Sequence, residues 1–115
     1  MRKFWLGLAV ALTMTVANGA HAAKLGYGNI LGDWCGDVTD YKFTRTSLTV
    51  TFHNDKSVRV WKIKDYEFSD TWINVNWSFG GNTVFGEFSD DGTRMAQQAN
   101  TGGDNGPRRP FRRCD

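Results

Sequence analysis

From Tyr41 to Gln98 the chain alternates apolar and polar residues with a period of two, in runs of five to eight residues separated by turn formers. Leu48, Val50 and Phe52 fall on one side of the segment Ser47 to His53, with Thr49 and Thr51 on the other. Successive strand side chains point to opposite faces, so this pattern marks a half-buried β-strand. Asn54-Asp55-Lys56 then reads as a hairpin turn, and Val58 to Ile63 as the returning strand. Tyr66 to Phe68 starts a further strand. Ile73, Val75 and Trp77 alternate against Trp72, Asn74 and Asn76 in the next. Thr83 to Phe88 and Thr93 to Gln98 follow, punctuated by Gly80-Gly81-Asn82 and Asp90-Asp91-Gly92. Tyr41 to Thr44 precedes the set. The segment Asn100 to Pro110 holds three glycines and both prolines and reads as a loop. The expected class is all-β: a small antiparallel meander closed as a barrel, with a β-sandwich as the alternative. The barrel is favoured because closure removes exposed strand edges.

The N-terminus has a different character. Arg2 and Lys3 head an apolar run from Phe4 to Val16, and Ala20-His21-Ala22 offers small residues for cleavage after Ala22. This is the layout of a secretory signal peptide over residues 1–22, of a kind that suits a bacterium. It leaves one domain over residues 23–115, expected in the periplasm or outside the cell. Ala23, rather than a cysteine, follows the cut, which argues against a lipid anchor. No second apolar run has the length of a transmembrane helix. The chain carries 14 Lys and Arg against 12 Asp and Glu, and the excess lies entirely in the signal. The exported part is neutral, so no global basic field argues for nucleic acid.

Cys35 and Cys114 are the two cysteines, and an oxidising compartment pairs them. The closed loop of roughly 80 residues is worth up to ~4.5 kcal/mol in the chain-entropy model. The bridge also sets Gly32-Asp33-Trp34-Cys35 beside Phe111-Arg112-Arg113-Cys114, because disulfide Cα atoms lie about 5–6 Å apart. Arg113 or Arg112 then reaches the Trp34 indole, and a guanidinium over an indole is worth ~0.5–2 kcal/mol.

A Gly-x-Trp at the first strand, a meander of short strands and a late arginine over that tryptophan together resemble the calycin-like barrels. These include lipocalins and small periplasmic inhibitors of secreted metalloproteases. The resemblance implies structural roles for Gly32, Trp34 and Arg113. The chain is far shorter than a lipocalin, which argues against a large ligand cavity. In the inhibitors an extended N-terminal tail enters the enzyme's cleft, a part that would fall here to the glycine-bearing lead-in at residues 23–31.

The catalytic inventory is poor. His53 is the one histidine after the signal, next to a hairpin turn and expected to face solvent. One histidine and no free cysteine leave little for nucleophilic triads or histidine-rich zinc sites. Carboxylates could support a hydrolase, but nothing in the spacing sets two of them across a cleft, and no loop has the spacing of an EF-hand. No cofactor is expected.

Two binding surfaces are expected instead. Trp72 shares a face with Asn74 and Asn76, and with Trp61 and nearby Tyr66 could stack on a sugar or a partner protein; a core filled from both faces of the sheet would produce the same stripe. Arg108, Arg109 and Arg112, beside Arg113, form a basic run suited to phosphate, lipid or an acidic partner; a soluble closing strand with one arginine on Trp34 is the alternative. The leading functional expectation is an exported, monomeric, non-catalytic binding protein, an inhibitor or adaptor for another protein. The alternatives are a carrier of a small apolar or sugar ligand in the barrel mouth, and a carboxylate-based hydrolase.

Overall fold

A computed structural model of the chain describes residues 24–102 and 106–115. The expected signal at residues 1–22, with Ala23, lies outside the described residues. Eight antiparallel strands follow one another around a closed barrel: β1 (Gly32–Gly36), β2 (Thr39–Phe43), β3 (Ser47–Phe52), β4 (Val58–Phe68), β5 (Trp72–Trp77), β6 (Asn82–Gly86), β7 (Arg94–Gln97) and β8 (Arg109–Arg113). β8 closes on β1 through the pairs Trp34↔Arg113, Cys35↔Arg112 and Gly36↔Phe111. The Cys35–Cys114 disulfide staples this seam, with Cα atoms 5.2 Å apart. No helix among the described residues is long and apolar enough to cross a membrane.

The alternation settles which side chains point inward. Trp34, Tyr41, Val50, Phe43, Leu48, Ile63, Ile73, Val75, Trp77, Phe85, Met95 and Phe111 fill the interior. Tyr41 stacks on Phe111 at 4.5 Å between ring centroids and meets Phe43 edge-on, and Phe43 meets Phe85 in the same way. Two pairs of buried polar groups match each other: Tyr41 Oη donates to Gln97 Oε1 at 2.7 Å, and Trp77 Nε1 donates to Thr83 Oγ1 at 3.0 Å. Unmatched, each would cost about 1–3 kcal/mol. Gly36 leaves room for the Phe111 ring; a Cβ there would lie 2.6 Å from Phe111 Cε1.

Two expectations are corrected. Val58 to Ile63 and Tyr66 to Phe68 are one strand, β4, with a register shift between Ile63 and Asp65. The extra residue, Lys64, is a β-bulge. It restarts the alternation so that Ile63 and Tyr66, three apart, both reach the core. The lead-in at residues 23–31 is also not an extended tail where it is described. Tyr27–Ile30 form a single helical turn, α1, with Ile30 fully buried. Leu25 N donates to Ser69 O at 2.8 Å. Tyr27 packs edge-on against Tyr66 and Phe68, and Arg45 covers its other side at 4.3 Å. This segment plugs the end of the barrel at which β1 begins.

Candidate functional site

At the plugged end, one arginine ties the last strand to the segment that leads into the first. The Arg113 guanidinium lies 4.0 Å from the Trp34 ring. Its Nη1 donates to Leu31 O at 2.6 Å, Nη2 to Gly28 O at 3.2 Å and Nε to Gly92 O at 3.3 Å. Trp34 Nε1 donates to Ile30 O at 2.8 Å. Gly32 completes the arrangement. Its φ of +109° suits glycine, and a Cβ there would lie 2.9 Å from Arg113 Nη1. Burial draws the Arg113 pKa below its ordinary value, and the nearby Asp33 opposes that shift. Gly32, Trp34 and Arg113 thus form a structural lock on α1.

The opposite end is a mouth lined with aromatic rings. Trp61 pairs with Leu48 across β3 and β4, so it shares the inward face at the rim rather than the face of Trp72. It meets the buried Trp77 edge-on at 5.4 Å. Phe79, at the turn between β5 and β6, stacks on Trp77 at 6.0 Å and meets Trp61 at 6.2 Å. Phe79 is 67% exposed and Trp61 37%. Beneath them lies a cavity of about 80 Å³, bounded by Tyr41, Gln97 and the half-buried Arg109 among others. Ligand pockets span about 300–1,000 Å³. The turn position of Phe79 between two apolar-periodic strands gave no signal in the sequence that it joins Trp61.

The Trp72 face is differently used. Trp72 is 42% exposed, but Asn74 is only 8% exposed and its amide is engaged. Asn74 Nδ2 donates to Glu67 Oε1 at 2.7 Å and to Asn76 Oδ1 at 3.1 Å; Asn82 Nδ2 donates to Asn74 Oδ1 at 2.6 Å. Asn76 Nδ2 donates to Asp65 Oδ1 at 2.7 Å. The amides form a ladder across the outer faces of β4, β5 and β6. Tyr66 points into the core, its hydroxyl donating to Thr44 O at 2.6 Å, and burial pushes its pKa up. The structure therefore does not bring Trp61, Tyr66, Trp72, Asn74 and Asn76 together as one stacking surface.

The C-terminal arginines also part. Arg108 grips Glu87 in a fork, with Nε donating to Oε2 at 2.7 Å and Nη2 to Oε1. This contact and a bond from Gln98 hold the Glu87 carboxyl down to about 2. Arg109 turns to the mouth, Arg113 to Trp34, and Arg112 to the outer face. A groove of about 460 Å³ runs along the outer side of β7, β8 and the end of β1, edged by Asp37, Glu87, Arg94, Arg108 and Arg112. Arg94 was not singled out by sequence, because only the β7–β8 register puts it opposite Arg112. His53 bridges two turns at the mouth end, Nε2 2.8 Å from Asp40 Oδ1 and Nδ1 3.1 Å from Asp37 O. Among the described residues, no group of three or more His, Cys, Asp or Glu could hold a metal ion.

Comparison of the chain with protein-family models, with curated proteins and with solved structures gives no match.

Proposed function

We propose that this is an exported binding protein that recognises another protein through the aromatic rim of its barrel mouth. The observation that carries the reading is the contrast between a filled interior and an exposed rim: about 80 Å³ of space under the mouth, with Phe79 67% exposed above it. Aromatic residues are enriched in protein interfaces, where rigid rings add area at low entropic cost. Phe79 is held by Trp77 and Trp61 and so is pre-organised. Val58 and Val60, both exposed on β4, extend apolar surface down the side of the barrel. The small cavity favours this reading over a carrier of a ligand in the mouth. The Gly32, Trp34 and Arg113 lock supports the calycin-like reading of the barrel. Within that reading, recognition passes from the N-terminal tail to the mouth, since residues 25–31 pack on the barrel.

The test is a photo-reactive amino acid placed at position 79 in the exporting cell, with the same probe at Thr46, in the exposed turn between β2 and β3, as control. One crosslinked protein at position 79 and none at Thr46 is the expected result. The same products from both positions overturn the mouth as the recognition surface.

A further inference from the structure

Arg94 and Arg112 face each other directly across β7 and β8 on the outer side of the barrel, and both are exposed. Directly opposed residues on antiparallel strands have Cβ atoms about 4.5–5.5 Å apart, and like charges so placed repel. Among the described residues neither guanidinium donates a hydrogen bond or reaches salt-bridge distance of a carboxylate. No acid forms an ion pair with either arginine among the described residues. Glu87 is gripped by Arg108. Asp91 feels the Arg94 charge from outside salt-bridge distance, and its Oδ1 accepts from Ser89 and Thr93. Two like charges are thus held side by side in a groove of about 460 Å³ with Phe111, Met95 and Pro110 in its lining.

We propose that this groove binds a phosphomonoester, with Arg94 and Arg112 gripping the phosphate from adjacent strands. Each guanidinium presents a fork of N–H donors suited to two oxygens. One carboxylate is satisfied by a single fork, whereas the three terminal oxygens of a phosphomonoester can engage both. The groove is larger than a phosphate, and the exposed Pro110 in its lining gives the organic part an apolar surface to lie on. Arg108, fixed by Glu87, bounds the site rather than competing for it. The site lies on the barrel wall, apart from the aromatic mouth, so it stands or falls independently of the proposed protein recognition.

The experiment follows the arginine Nε–Hε resonances of the disulfide-intact protein by NMR, at constant ionic strength. Glycerol 3-phosphate, inorganic phosphate and phosphatidylcholine vesicles doped with phosphatidic acid are added in separate titrations. The expected result is a saturable shift of Arg94 and Arg112 together. Arg94→Gln and Arg112→Gln should each weaken binding about tenfold or more, the loss expected for one charge-assisted fork. Lys62→Gln, on β4, should leave it unchanged. Saturation by glycerol 3-phosphate with no binding to the vesicles assigns a soluble phosphomonoester; binding to the doped vesicles that Arg94→Gln removes assigns a lipid headgroup. Shifts that fail to saturate with any probe, that sodium chloride reproduces, or that persist in both Gln variants overturn the site. Retained strand-to-strand amide contacts in the variants show that a loss of binding is not a loss of fold.

Discussion

Single residues at the plugged end do more than their chemistry alone suggests. Arg113 covers Trp34 and donates to three carbonyl groups, two on the α1 segment and one at Gly92. Gly32→Ala would force a side chain into a left-handed backbone and toward the Arg113 guanidinium. The expected cost is about 1–3 kcal/mol. For a domain of this size that lowers Tm by roughly 4–8 °C per kcal/mol, read by thermal melting. A melt unchanged from wild type would remove Gly32 from the lock. On the outer wall the sign is opposite. Arg94→Gln relieves repulsion from Arg112 and should stabilise by about 0.2–1 kcal/mol in denaturant unfolding; a loss of stability would show that the two charges are offset. The sequence made Trp34 and a late arginine legible as neighbours, because the disulfide fixes their strands. It could not make Arg94 legible, since its partner depends on a register set by the whole meander.

At the scale of elements, alternation located strands well and failed where something interrupts it. Lys64 broke β4 into two apparent strands because a bulge and a turn both shift the period by one residue. The pattern Trp72, Asn74, Asn76 identified the outer face of β5, but polar residues on such a face read the same whether they await a ligand or bond one another. The ladder from Asp65 to Asn82 shows the second case. Trp77→Ala, which empties a core position, should cost about 3–5 kcal/mol. Trp72→Ala, on the exposed face, should cost under about 1 kcal/mol. Equal costs in urea unfolding would contradict the assignment of the two faces. The connection from β6 to β7 has its own pH dependence. Glu87 and Asp91 are both held down to about 2, from ordinary values of 4.5 and 3.8, chiefly by bonds from Arg108 and from Thr93. Lowered carboxylate values add stability above the ordinary range and lose it as pH falls through the folded value. Amide exchange at Gly92 and Thr93 should therefore rise between about pH 4 and 2 while Phe85 and Val75 stay protected. Simultaneous loss of protection would make the connection part of the core.

For the whole molecule, the fold class was legible because closure, strand count and the joined termini leave one simple arrangement of so short a meander. A barrel of eight short strands has little room inside, and this one fills it with aromatic rings. The two recognition surfaces we propose are then the rim and the wall, which depend on where turns and registers place Phe79 and Arg94. The Cys35–Cys114 bridge holds the seam on which both the lock and the wall groove depend. The most direct test is native mass spectrometry of the disulfide-intact protein recovered from cells that express it, wild type beside Phe79→Ser. A complex of fixed stoichiometry with one other protein is expected, abolished in Phe79→Ser, whose own melt stays within about 0.5 kcal/mol of wild type. A small molecule retained by the isolated barrel in both proteins, with no protein complex in either, would overturn protein recognition at the mouth.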